Sequence, residues 1–130
     1  MEWKTEYATG IHDIDRQHRI VLRLGAHFDQ AFEDQANWAG AYLLILRARS
    51  FLEYHFCAEQ SLMQLLDIPN AAVHCARNRI TLAQITAFQQ QMRSERTCGV
   101  LLQSVRELLL DHVLGSNHQF GVHALDDWQL

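Results

Sequence analysis

Six polar side chains interrupt the apolar stripes of a sequence that otherwise has the pattern of amphipathic helices. They are His18, His55, Glu59, His74, Asn78 and His112. His55 with Glu59, and His74 with Asn78, are spaced four apart, so each pair projects from one helix face. A single buried histidine is usually a core residue with one hydrogen bond, but burying several imidazoles and a carboxylate together is costly. The spacing therefore favours a metal site between helices, with a hydrogen-bonded core as the alternative.

Four helices would position these side chains in an all-α, antiparallel up-down-up-down bundle. Apolar residues at helical spacing predict a first helix from about Asp15 to Phe32, a second from a cap at Asn37 to about Leu66, a third from near Asn70 to about Arg93, and a fourth after a cap at Thr97, with an end or distortion near Gly115. Residues 1–13 have the pattern of an extended arm whose Trp3 and Tyr7 can pack on the bundle. Asp13 or Asp15 can cap the first helix.

Length and composition set the class of protein. The chain has 130 residues, 48% hydrophobic and 20% charged, as expected for a single soluble domain over residues 1–130. A net charge of −4 with scattered basic residues argues against nucleic-acid binding, and the lack of a long apolar run argues against a membrane partner. Three cysteines without a C-x-x-C pair, and no signal peptide, lead us to expect a cytoplasmic protein with reduced thiols.

Four separated motifs can be compared with a known family. W-K-T-E-Y-A-T-G-I-H-D-I-D-R-Q-H occupies residues 3–18, and H-F-C-A-E-Q-S-L-M occupies residues 55–63. His74 follows the second motif, nineteen residues after its first histidine, and H-V-L-G-S-N-H-Q-F-G occupies residues 112–121. Together these motifs resemble those of the hemerythrins, including the bacterial ones, in the same order along the chain. The resemblance covers about residues 3–121.

The resemblance implies a particular ligand set. In hemerythrins, two irons lie inside the bundle and bind dioxygen reversibly. Carried over to this chain, His18 and His55 would hold the iron that has the open oxygen position. His74 and His112 would serve the other iron, and Glu59 would bridge the two.

Two positions depart from the family pattern. Asn78 stands where a second histidine of the third helix is usual, and Asn117 stands where a bridging aspartate is usual. An amide oxygen is a weak, neutral ligand for iron, and Glu59 alone would remain to offset the charge of two ions. We therefore expect an incomplete di-iron site with fewer than two irons per chain, or none. His18, His55 and Glu59 have the composition of a mononuclear non-heme iron triad.

The resemblance implies a function of the carrier or sensor kind. We expect a non-heme iron domain that binds dioxygen or another small diatomic ligand and is not an enzyme. The alternative is a metal-free regulatory or protein-interaction domain on the same fold, which would have a protein partner. Peroxide or nitric oxide chemistry at a mononuclear iron ranks last. His12, His27 and His123 fall off the inward stripes, so we expect them in solvent.

Overall fold

The computed structural model describes residues 2–34, 37–96 and 99–128, with side chains described as far as Gly115. These residues form a single turn of 3-10 helix and four long α-helices, with no strand among them. The elements are the 3-10 turn Thr5–Tyr7, α1 (His12–Glu33), α2 (Trp38–Leu65), α3 (Ala71–Glu95) and α4 (Gly99–Trp128). The prediction of an all-α four-helix protein is confirmed.

The helices are arranged as a four-helix bundle. α1 packs against α2 and α4, and α3 packs against the same two helices from the opposite corner. Consecutive helices run antiparallel, because short connections join them. Where α1 packs against α4, Asp29 near the end of α1 forms an ion pair with Arg106 near the start of α4. The up-down-up-down topology is therefore the predicted one.

The apolar interior is divided into two clusters. The larger one fills most of the bundle and includes Val21, Leu52 and Ile85. The smaller one lies near the connection between α2 and α3 and consists of Ile11, Ile14, Met63, Ile68 and Cys75, all buried. Most of the polar residues singled out from the sequence fall between the members of these clusters along α1, α2 and α3, namely His18, His55, Glu59 and Asn78. The bundle therefore has a polar layer between two apolar regions.

The N-terminal segment differs from the predicted extended arm. It contains the turn Thr5–Tyr7, and α1 already begins at His12. Tyr7 is buried, and the edge of its ring meets Trp3, with the ring centroids 5.8 Å apart. The guanidinium of Arg19 lies over the ring of Trp3 at 4.7 Å. Aromatic burial and the cation–π contact thus fold this segment onto the bundle.

The predicted aspartate cap of α1 is wrong. The residue at the cap position is Ile11, which makes no side-chain hydrogen bond there, and Asp13 and Asp15 both lie in the first turn. The Asp15 carboxylate instead accepts from the backbone N–H and the hydroxyl of Thr9, each at 2.8 Å. The Thr9 hydroxyl in turn accepts from the backbone N–H of Ile11 at 3.1 Å. The Asp15 carboxylate therefore bonds to Thr9, in the segment that precedes α1, and does not cap the helix.

Two other helix ends can be compared with the predictions. Asn37 caps α2 as predicted, because its side chain accepts from the backbone N–H of Gly40 at 3.0 Å. Gly115 neither ends nor interrupts α4, which continues to Trp128. A glycine inside a helix costs only about 1 kcal/mol relative to alanine, which a long helix tolerates. The predicted cap at Thr97 lies outside the described residues. Within those residues, no helix is both long and apolar enough to cross a membrane.

Candidate metal centre

Three helices bring four polar side chains to one point in the polar layer. α1 supplies His18, α2 supplies His55 and Glu59, and α4 supplies His112. The side chains of His18, His55 and Glu59 are fully buried, and that of His112 is 6% exposed. We call these four residues the His3Glu cluster. Its members come from helices far apart in the sequence, so only the assembled bundle creates it.

The donor atoms of the His3Glu cluster are in close contact. His55 Nε2 lies 3.0 Å from His18 Nε2 and 3.1 Å from His112 Nε2. Glu59 Oε2 lies 3.2 Å from the Nε2 atoms of both His18 and His55, while Glu59 Oε1 lies 3.1 Å from His112 Nε2. One atom from each residue can be chosen so that all four lie within 4.8 Å of one another.

These separations match those of ligands around one ion. Imidazole nitrogens and carboxylate oxygens bind zinc-like ions at about 2.0–2.2 Å, so neighbouring ligand atoms then lie about 3.0–3.5 Å apart. The measured contacts of 3.0–3.2 Å in the cluster fall in this range. The bundle therefore presents three imidazoles and one carboxylate in an arrangement that can hold a single metal ion.

A hydrogen bond outside the cluster orients one of its imidazoles. The side-chain oxygen of Gln17, a buried residue, lies 2.7 Å from His55 Nδ1. An amide oxygen only accepts, so Nδ1 carries the proton and Nε2 presents its lone pair to the cluster. Metal-binding histidines commonly have such a partner on the second nitrogen, which fixes the ring and its tautomer. The arrangement at His55 is thus that of a ligand.

The convergence of acceptor atoms requires a proton or a cation among them. The lone pair of His55 Nε2 and the carboxylate of Glu59 both accept, and they are only 3.2 Å apart. Two acceptors at this distance repel each other unless a proton or a metal ion lies between them. Protons on His18 and His112 can satisfy the network without metal, and one cation can replace them.

Burial and charge favour the protonation states that metal binding needs. Burial lowers the pKa of His18 from 6.5 to about 4, and the neighbouring His55 acts in the same direction. Burial alone would raise the pKa of Glu59, but the charge of His112 and hydrogen bonds from His112 and His18 hold it well below its usual 4.5. His18 is therefore neutral and Glu59 ionised at neutral pH. Metal ligands must be deprotonated in this way.

The two predicted site residues of α3 lie differently. Asn78 is buried, and its Nδ2 donates to Glu59 Oε1 at 3.1 Å. His74 is only partly buried and is not a member of the cluster. Burial, helped by the charge of Arg77, lowers the pKa of His74. α3 thus contributes a hydrogen-bond donor to the carboxylate and no member of the donor set.

The grouping of the histidines differs from the one that the hemerythrin resemblance implies. That resemblance pairs His112 with His74 on a second iron, whereas the structure brings His112 to His18 and His55. The side chain of Asn117, the other position that departs from the family pattern, lies outside the described residues. Among the described residues, the one group that could hold a metal ion is therefore the His3Glu cluster.

Aromatic rings surround the cluster. Phe51 stacks parallel to His55 at a centroid distance of 6.3 Å, and the edge of Phe56 meets His112 at 4.9 Å. The sequence identified neither these rings nor Gln17 as functional. The signals in the sequence that could have indicated them were that Gln17 adjoins His18 and that Phe56 adjoins His55.

The remaining histidines and thiols are peripheral. His12 and His27 are exposed, as predicted, and the side chain of His123 lies outside the described residues. Cys57 is exposed and Cys75 belongs to the smaller apolar cluster, so neither thiol joins the His3Glu cluster. The donor set is therefore nitrogen and oxygen without sulfur in the described part of the chain.

No family model, curated protein or solved structure matches this chain.

Proposed function

We propose that this protein binds one non-heme iron ion at the His3Glu cluster and serves as a carrier or sensor of dioxygen or another small diatomic molecule. The observation that carries the proposal is the convergence of three imidazole Nε2 atoms on the fully buried Glu59 carboxylate. The hemerythrin-like motifs agree with this choice of metal and ligand. The chain's own contribution is a preformed donor set that only the folded bundle has.

The donor set fits a transition-metal ion such as iron better than a hard ion. Imidazole nitrogen suits iron, copper and zinc, whereas an all-oxygen site would suit magnesium or calcium. A carboxylate with two or more histidines, and no thiolate, is the composition of mononuclear ferrous sites that keep positions open for a diatomic ligand. Such an ion, when bound, would supply reversible binding of that ligand.

One ion per chain follows from charge and from α3. Glu59 is the only carboxylate of the cluster, and a second divalent ion would add two more positive charges to a buried layer. Asn78 already occupies Glu59 Oε1 with an N–H donor, which a second cation would have to displace. Both features support a mononuclear site.

A binding role is favoured over catalysis because of the groups around the cluster. Its described neighbours include two aromatic rings, Phe51 and Phe56, and two amides, Gln17 and Asn78. None of these side chains transfers protons near neutral pH. The surroundings therefore suit holding a ligand more than acid–base chemistry.

Metal analysis of two glutamate variants tests the proposal. Protein from iron-supplemented cells should contain about one iron per chain, whereas Glu59→Gln should contain almost none. Breaking a buried charged pair costs about 3–5 kcal/mol, more than a hundredfold in affinity. Glu53→Gln is the control, because Glu53 lies on the same helix but is exposed.

A second measurement tests the diatomic ligand. Nitric oxide added anaerobically to the ferrous protein should change its visible absorption, and removing the gas should reverse the change. An iron-free but fully folded parent protein would contradict the proposal. That result would support the metal-free regulatory or interaction domain, in which the His3Glu cluster is a hydrogen-bonded part of the core.

A further inference from the structure

We infer that a cavity between α2 and α3 is the site where a small ligand of two or three heavy atoms enters and waits beside the metal centre. The inference rests on the proposed function and adds the route and the residue that controls it. The cavity has a volume of about 220 Å³ and is called the α2–α3 cavity below. Its lining residues are Glu53, Phe56, Cys57, Gln60, Cys75, Asn78, Arg79 and Leu82.

The lining changes from exposed to buried with depth. Glu53, Gln60 and Arg79 are exposed and form the mouth. Phe56, Cys75 and Asn78 are buried and form the floor. A space with a polar, solvated mouth and a mainly apolar floor admits a small neutral molecule from water into the bundle.

The floor is also the outer wall of the His3Glu cluster. Asn78 donates to Glu59 Oε1 at 3.1 Å, and the edge of the Phe56 ring meets His112 at a centroid distance of 4.9 Å. Two of the three floor residues therefore contact two different members of the cluster. Asn78 therefore lies both on the floor of the cavity and in contact with the carboxylate.

Three other cavities are lined by none of the residues shown above to contact the cluster. The largest, about 540 Å³, lies between the end of α1 and the start of α2. Another opens beside Arg106, and a third lies on α3 around Ala83 and Ala87. The first two share no lining residue with the α2–α3 cavity, whereas the third shares Arg79 and Leu82 with it. A neighbouring cavity that shares Gln60, Cys75 and Arg79 with the α2–α3 cavity widens its approach.

Asn78 is the residue that controls passage. Its amide stabilises Glu59 when the cavity is empty, and a ligand moving inward must displace or bypass that hydrogen bond. The position is neutral, so a diatomic molecule or a single small anion meets no fixed charge on the floor. A ligand much larger than this would clash with Phe56 or Leu82 before it reached the carboxylate.

Cys75 provides a reversible plug for a test. In a Cys57→Ser, Cys98→Ser variant, Cys75 is the only thiol, and methyl methanethiosulfonate would add an S-methyl group to the floor. Dithiothreitol removes that group again. The matched control carries the same label on an outer face of α3, at Ser94→Cys in a variant without the three natural cysteines, because Ser94 is exposed and is not among the residues that line the α2–α3 cavity.

The first readout needs no metal. Dissolved xenon enters apolar cavities, so in the metal-free protein it should shift the amide NMR signals of Cys75 and Asn78. The shifts should disappear on methylthiolation and return with dithiothreitol. Xenon shifts that are absent at Asn78, or that survive the plug, would overturn the inference whether or not the protein binds iron.

The second readout uses azide as the probe on the iron-loaded protein. The plug should slow azide association at least about tenfold without changing iron content, because entry would then need the helices to move apart. The label on the outer face should leave the rate unchanged. If the buried thiol resists the reagent, Cys75→Met fills the same space and should slow azide equally. An unchanged rate in the plugged protein overturns the inference, while failure to load iron refutes only the proposed function.

Discussion

α2 and α3 each carry a histidine followed four residues later by a polar side chain, yet the two pairs have different roles. On α2, His55 and Glu59 are both fully buried and both belong to the His3Glu cluster. On α3, His74 is partly buried and outside the cluster, and Asn78 only donates to Glu59. The same spacing thus produces a pair of candidate ligands on one helix and a supporting contact on its neighbour.

The difference lies in what faces each pair. His55 is opposed by His18 from α1 and His112 from α4, so three imidazoles meet around one carboxylate. His74 lies one turn before Asn78 on α3 and is the chain neighbour of Cys75, a member of the smaller apolar cluster. Helical spacing places two side chains on one face, but the facing helices decide whether that face becomes a metal site.

Removing one histidine from each pair tests this comparison with the largest expected effect. His55→Gln should lower iron affinity more than about a hundredfold, because it removes one of the three buried imidazole ligands and leaves a buried charge less well compensated. His74→Gln should leave iron content and affinity unchanged. Iron titration of both variants, with circular dichroism to confirm folding, makes the measurement. Equal losses in the two variants would show that α3 supplies a ligand after all.

The second-largest expected effect is on the acid stability of the metal-free protein, which should depend on His18 of the cluster more than on His74 of α3. The folded-state pKa of His18 is lowered from 6.5 to about 4, so the unfolded chain binds the extra proton first. The unfolding free energy is therefore unaffected above pH 6.5 and should fall by about 3 kcal/mol as the pH drops towards 4. The lowered pKa of Glu59 adds a loss of the same sign below pH 4.5.

Denaturant unfolding at several pH values, with a chelator present, measures this loss. His18→Leu should remove most of the fall between pH 6.5 and 4, because leucine fills the site and does not titrate. His74→Leu should remove much less of it, since His74 is only partly buried. A pH profile that is unaltered in His18→Leu would place the acid sensitivity elsewhere.

The hydrogen bond from outside the cluster gives a smaller effect. Gln17→Leu should lower iron affinity about 10–100-fold, the usual cost of losing the partner of a metal-bound histidine. Gln17→Glu keeps an acceptor 2.7 Å from His55 Nδ1 and should retain most of the affinity. Iron titrations of the two variants are the measurement. If Gln17→Leu binds iron as the parent does, the orientation of His55 depends on packing alone.

Converting the α3 pair into two histidines should have the smallest effect. Asn78→His frees Glu59 Oε1 from its amide donor and places an imidazole one turn from His74. We expect a second, weaker iron to bind only when iron is in excess, because the added site gains no further carboxylate. Metal analysis across an iron series tests this, with the exposed neighbour Arg79→His as the control. An unchanged stoichiometry at all concentrations would show that an imidazole at position 78 does not complete a second site.

Local signals in the sequence were sufficient for some features. The Asn37 cap and the joint burial of His55 and Glu59 depend on neighbours in the chain, and both were predicted. The cap of α1 was not, because Asp15 accepts from Thr9 in a segment whose path depends on aromatic packing.

The composition of the His3Glu cluster could be predicted only in part. Whether His112 meets His18 or His74 depends on the rotation of α4 about its axis, which periodicity does not determine. The contact of Gln17 with His55 likewise joins α1 to α2, and no spacing rule within one helix can show it.

The polar layer between the two apolar clusters has a consequence for how the helices align lengthwise. If α1 slid by one turn relative to α2, Ile14 would move next to Glu59 and His18 would enter an apolar region. The carboxylate would then be buried without a donor from α1, at a cost of several kcal/mol. Uniformly apolar helices lack such a penalty and can pack in several offsets. The layer that is suited to hold an ion therefore also selects a single longitudinal register for the bundle, even before any ion arrives.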